Sequence, residues 1–113
     1  MTDIFSNIPN SVWANERIKM FLDELKNALS AADIGAFALP SLVVSQNDYD
    51  TVIEWIFEDF RTYFFFSKDG DCYGRFEKEE GKIRNRYDHM EKKDYPKVAK
   101  WVVEWVMEKL TKN

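Results

Sequence analysis

Between residues 14 and 32 apolar side chains recur at Ala14, Ile18, Phe21, Leu22, Leu25, Leu29 and Ala32, the spacing of one helical face. Asn10 or Ser11, just after Pro9, supplies the expected N-cap, and residues 1–9 read as a polar, flexible lead. The helix is expected to end by Gly35. The stretch Ile34-Gly35-Ala36-Phe37-Ala38-Leu39-Pro40 combines a C-cap glycine with a proline that disfavours helix before it. It serves as a linker to a sheet.

From Ser41 the chain turns β-branched and aromatic: Leu42-Val43-Val44, then Thr51 to Phe57, Phe60 to Ser67, and Cys72 to Phe76. Three short polar interruptions, Gln46-Asn47-Asp48, Glu58-Asp59 and Lys68-Asp69-Gly70-Asp71, have the composition of hairpin turns. A fifth strand, from Lys82 to Tyr87, follows Glu79-Glu80-Gly81. The chain closes with a second helix, capped by Asp94 with Pro96 in its first turn. Val98, Trp101, Val102, Trp105, Val106 and Leu110 form its apolar face, and Lys97, Lys100, Glu104 and Glu108 its solvated stripe.

The pattern defines one α+β domain over residues 1–113: an N-terminal helix, an antiparallel meander of four or five strands and a C-terminal helix, with both helices on one face of the sheet. Strand alternation points Ile53, Trp55 and Phe57 at the helices. In the third strand both alternating sets are aromatic, so one bulky row is left for the other face. In the fourth strand the polar set is Tyr73, Arg75 and Glu77, and in the fifth Arg84 and Arg86. The open face is therefore expected to mix tyrosines with arginines.

With 113 residues, 45% hydrophobic and 16% aromatic, the chain can bury one modest core. Its net charge of −4 is unevenly spread: residues 1–60 hold ten acids and three bases, residues 61–113 ten acids and thirteen bases. An acidic surface disfavours phosphate backbones and anionic lipid. The apolar runs are only a few residues long, far from the ~20 that span a bilayer, so no membrane partner is expected. Cys72 is a lone thiol, and the first residues lack the basic and apolar regions of a secretion signal, which together imply a cytoplasmic location.

Candidate chemistry is sparse. Asp69, Asp71, Gly74 and Glu80 occupy the first, third, sixth and twelfth positions of a calcium-loop pattern, but Tyr73 stands at the fifth. The flanks also read as strands where that motif needs helices, so the segment is a hairpin. Cys72 and His89 are one thiol and one imidazole, too few for zinc or for an assembled nucleophile, and no metal or cofactor is expected. Asp48, Asp50, Glu54, Glu58 and Asp59 crowd one region, mostly in turns where Asp has a local role. The four glycines are isolated, so no phosphate-cradling loop is present. No catalytic residue emerges.

Two surfaces could take a partner. The first joins the acids Asp48, Asp50, Glu58 and Asp59 with Trp101 and Trp105 on the wide apolar arc of the last helix, residue types suited to a protein target or a homodimer. The second is a sheet platform of Tyr63, Phe65, Tyr73, Arg75, Arg84 and Arg86, the combination that stacks and neutralises single-stranded nucleic acid or a nucleotide. The charge balance favours the first.

The stretch Pro40-Ser41-Leu42-Val43-Val44, then Val52-Ile53-Glu54-Trp55, an aromatic strand and Asp69-Gly70 resembles a pattern in small bacterial and phage proteins, where a helix precedes a Glu-Trp and Asp-Gly meander. The likeness spans roughly residues 20–76. Here Asp48-Tyr49-Asp50 replaces the glycine of the first hairpin. Because such proteins often sit in mobile-element or toxin–antitoxin neighbourhoods, the resemblance implies an antitoxin, immunity protein or phage-encoded inhibitor. The expectation is a non-enzymatic module that binds a protein target, with nucleic-acid binding as the alternative.

Overall fold

The computed structural model describes residues 3–32, 39–67, 73–88 and 90–111, with 73–74 and 84–88 described by backbone alone. The fold is α+β. Helices α1 (Asn10–Trp13) and α2 (Glu16–Ala31) precede strands β1 (Val43–Gln46), β2 (Asp50–Ile56), β3 (Phe60–Ser67), β4 (Tyr73–Glu79) and β5 (Lys82–Asp88). A 3₁₀ turn at Lys92–Asp94 leads into α3 (Tyr95–Thr111). The five strands form an antiparallel sheet in chain order, β1 to β5.

The expected single N-terminal helix is two. Asn15 interrupts it in extended conformation, and its Oδ1 accepts the Ile18 amide at 3.1 Å, which makes it the N-cap of α2. Asn competes for backbone donors in just this way, so apolar spacing alone carries a helix across a point where the side chain stops it. Neither Asn10 nor Ser11 is the cap, since α1 begins after Pro9 with no side-chain cap. The expected end at Gly35 lies outside the described residues, while α2 itself ends at Ala31.

The described part of the lead, residues 3–9, contributes to the core. Ile4, Phe5 and Ile8 are buried in the core, and the Leu42 amide donates to Ile4 O at 2.8 Å beside the sheet. Phe5 also meets Trp13 at 6.1 Å, with the Lys26 ammonium 4.5 Å from the Trp13 ring. Three apolar residues in a short segment outweigh its polar neighbours, because each buries against a surface the helices leave open.

Both long helices lie on one face of the sheet. Phe21 of α2 packs on Phe64 and Phe66 of β3, and Trp105 of α3 meets Phe60 edge-on at 5.2 Å. Ile53 and Trp55 of β2 are fully buried in the same layer, and the Trp55 indole donates to Pro40 O at 2.9 Å. Phe57 lies one residue beyond β2 and packs against this core, stacked on Phe60.

The turns explain the strand register. At the β1–β2 hairpin the apex is Asp48-Tyr49, one step later than expected, because Asn47 Oδ1 accepts the amides of both Tyr49 and Asp50 at 2.7 Å. Glu58-Asp59 is a two-residue connection closed by the Phe57 amide on Phe60 O at 2.9 Å. Glu80-Gly81 joins β4 to β5 with φ of 53° and 80°, the positive values a type I′ hairpin needs at both positions. The β3–β4 turn at 68–72 lies outside the described residues.

Candidate interaction surface

Register decides which side chains share the face away from the helices. Val52, Phe65 and Gly74 are paired across β2, β3 and β4, then Glu54, Tyr63 and Phe76, then Ile56, Arg61 and Lys78. On β1, Val43 stands beside Glu54 and Ser45 beside Val52, and on β5 Ile83 stands beside Lys78. Val52, Ile56, Tyr63, Phe65 and Phe76 belong neither to the buried core nor to the partly buried groups packed on it. The described residues thus leave this face uncovered.

Its centre is aromatic. The Tyr63 and Phe76 rings stack at 5.6 Å and 21°, and Phe65 meets Phe76 edge-on at 5.2 Å and Tyr63 at 5.6 Å. Each contact contributes about 0.5–1.5 kcal/mol beyond the area it buries. All three rings are half-buried by one another and their neighbours. Val43 at 44% and Ile83 at 56% exposure extend the apolar surface towards both edges. The charges described on this face are Asp50, Glu54, Arg61 and Lys78, with Arg61 Nη1 3.3 Å from Glu54 Oε2.

The expected tyrosine and arginine platform is corrected at its middle. Arg75 and Glu77 pair with Phe64 and Thr62, which face the helices, so both lie on the helix side of β4. Arg75 is 8% exposed and Glu77 fully buried, and the two form an ion pair. Burial lowers the Arg75 guanidinium to about 10, which leaves it charged at neutral pH. The third member of that set, Tyr73, is in register with Phe66, while Arg86 is in register with Phe76 and Arg84 falls at the irregularity in the β4–β5 pairing. The side chains of Tyr73, Arg84 and Arg86 lie outside the described residues. Tyr63 and Phe65 are on the open face as expected, and Phe76 and Lys78 join them.

The acidic set does not form one patch. Asp48 and Asp50 lie at one end of β2 and Glu58 and Asp59 beyond the other, about 30 Å apart at the rise of an extended strand. Glu80 shares the second end, beside Lys82. On α3 the two tryptophans separate. Trp101 is 40% exposed with the Lys97 ammonium 5.2 Å from its ring, whereas Trp105 is packed on Phe60 with Lys109 5.8 Å above it. Lys109 also pairs with Glu79 on the helix side of β4. Trp101 thus leaves the apolar face assigned to it, and Val98, Ala99, Val102, Val103 and Val106 make the buried stripe.

At the start of α3, Asp94 turns back: its carboxylate accepts the Glu91 amide at 3.0 Å, and that hydrogen bond, aided by Lys97, holds it below the usual carboxylate range. Tyr95 is buried against Phe21, and desolvation raises its hydroxyl above the ordinary value while Arg17 opposes the shift. Neither group is on the open face.

The flanks of the calcium-like segment are strands β3 and β4, and Glu80 forms a hairpin turn. Asp69, Asp71, Cys72 and His89 lie outside the described residues. Among the described residues no three His, Cys, Asp or Glu side chains are grouped to hold a metal, and no helix is long and apolar enough to cross a membrane. The chain matches no family model, no curated protein and no solved structure.

Proposed function

We propose that the chain is a non-enzymatic protein-interaction module that docks a protein target on its open sheet face. The observation that supports this is the aromatic centre of Tyr63, Phe65 and Phe76, held outside the core on a face the described residues leave uncovered. Large apolar groups with a charged rim are the anatomy of a protein interface, where rigid rings give area at low entropic cost. The resemblance noted above directs the reading towards an antitoxin, immunity protein or inhibitor acting in the cytoplasm.

Tagged protein captured from host lysate tests it. A protein retained by the native chain after nuclease treatment, and lost with Phe65→Glu while the circular dichroism spectrum is kept, is the expected result. Retention undiminished by Phe65→Glu would reject the face. Recovery abolished by nuclease would instead favour a nucleic acid stacked on these rings, with Arg61 and Lys78 in place of the buried Arg75.

A further inference from the structure

The strands of this sheet follow one another in chain order, so the charge asymmetry of the sequence becomes an asymmetry across the sheet. Residues 43–59, which make β1, β2 and their turns, hold five acids and no base. Residues 73–88, which make β4 and β5, hold five bases and four acids. Between them runs β3, with Tyr63 and Phe65 on the open face. Arg75 and Glu77 are turned to the helices, so the charges described on the open face beside its apolar middle are Asp50 and Glu54 on β2 and Arg61 on β3 with Lys78 on β4.

Such a surface complements itself. A two-fold axis lying over β3, parallel to its direction, places β1 and β2 of one copy over β5 and β4 of another. Rings meet rings at the centre, and Glu54 lies over the other copy's β4, one row from its Lys78. We propose that the free protein is a homodimer closed face to face through this surface, an aligned sheet sandwich of the common kind.

The area suffices. Four strands of seven or eight residues and the four-residue β1, at about 3.3 Å per residue and about 4.8 Å apart, present roughly 520 Å² in plan, so two faces bury about 1,050 Å², just past the roughly 1,000 Å² of a specific interface. The inference rests on the docking role of the open face and adds a consequence: the second copy and the target compete for the same rings. Target binding then requires the dimer to open.

Sedimentation velocity on the full chain at tens of micromolar tests the arrangement with two charge variants. In the proposed geometry Glu54→Lys sets a second cation one row from the other copy's Lys78 at two symmetric places, and Lys78→Glu sets a second anion one row from its Glu54 at the same two places. Each variant alone is expected to dimerise on the order of tenfold more weakly, whereas an equimolar mixture restores both attractive pairs and recovers the dimer. Misfolding cannot produce that recovery. Trp101→Lys, on the helix side, is expected to leave the dimer unchanged. A monomeric native chain, or single variants that dimerise as well as their mixture, would overturn the proposal. A monomeric native chain that still loses its target with Phe65→Glu would keep the docking role and discard only the second copy.

Discussion

The Phe21 ring on α2 and the Phe64 ring on β3 lie 4.7 Å apart at 52°, both fully buried, and join the helix layer to the middle of the sheet. Phe64 lies in the third of five strands, so a void there has core on every side except the open face. Phe64→Ala is expected to cost about 3–5 kcal/mol, read as a lower urea midpoint at unchanged slope. A loss below about 1 kcal/mol would mean that α2 does not bear on the sheet at this point.

Asn15 caps α2 with one hydrogen bond to the Ile18 amide. Asn15→Ala leaves that donor at the helix end and is expected to cost about 1 kcal/mol, whereas Asn15→Asp, which keeps an acceptor and adds a charge favoured by the helix dipole, should cost little. Urea titration of the two variants side by side separates the cap from mere tolerance of substitution.

Much of this fold was legible because its punctuation is local. The Glu58-Asp59 turn alone implies that Ile53 opposes Phe64 and Trp55 opposes Thr62, which would have assigned Phe64 to the core and Tyr63 and Phe65 to the open face. What failed was the fourth strand. Its connection at 68–72 is too long to set a register, and Arg75 and Glu77 look like a solvent row in any alternation count. Tertiary pairing with Phe64 and Thr62 turned that polar row inward and left Phe76 outside. The break at Asn15 was missed for a related reason: apolar periodicity persists across it while the side chain ends the helix.

Gly81 has φ of 80° in the β4–β5 turn, and a Cβ there would meet nothing within 4 Å. The consequence of Gly81→Ala is therefore purely conformational, about 1 kcal/mol from the left-handed backbone. Gly81→Val should cost more, since a β-branched side chain tolerates that region worse. Equal losses in thermal melts of the two variants would argue against a left-handed turn.

Asp94 is held below its usual 3.8 chiefly by the Glu91 amide. Its folded value is depressed relative to the unfolded chain, so the stability it contributes is present above pH 3.8 and is lost as pH falls through the folded value. The native chain should lose melting temperature on acidification, and Asp94→Asn should lose less over that acid window. An identical acid profile for the two would exclude this carboxylate from the acid transition.

The Arg75–Glu77 pair gives the most discriminating prediction, because burial and pairing pull in opposite directions. Burial lowers the Arg75 guanidinium to about 10, the sign of a charge that the helix-side layer disfavours, and Glu77 beside it supplies the compensating charge. Removing Glu77 leaves the buried Arg75 guanidinium without this counter-charge, and removing Arg75 leaves the fully buried Glu77 with one cation fewer, so Arg75→Met or Glu77→Leu alone is expected to destabilise by about 3 kcal/mol or more. Replacing both together removes two desolvated charges and refills the space with apolar groups, so the double variant should recover most of that loss in urea titration, or exceed the native chain. Additive losses would mean that the two side chains do not act as a pair. The same variants separate fold from function: Arg75 lies on the helix side of β4, so the folded double variant should bind its target as the native chain does, whereas a loss of binding at full stability would return Arg75 to the ligand face.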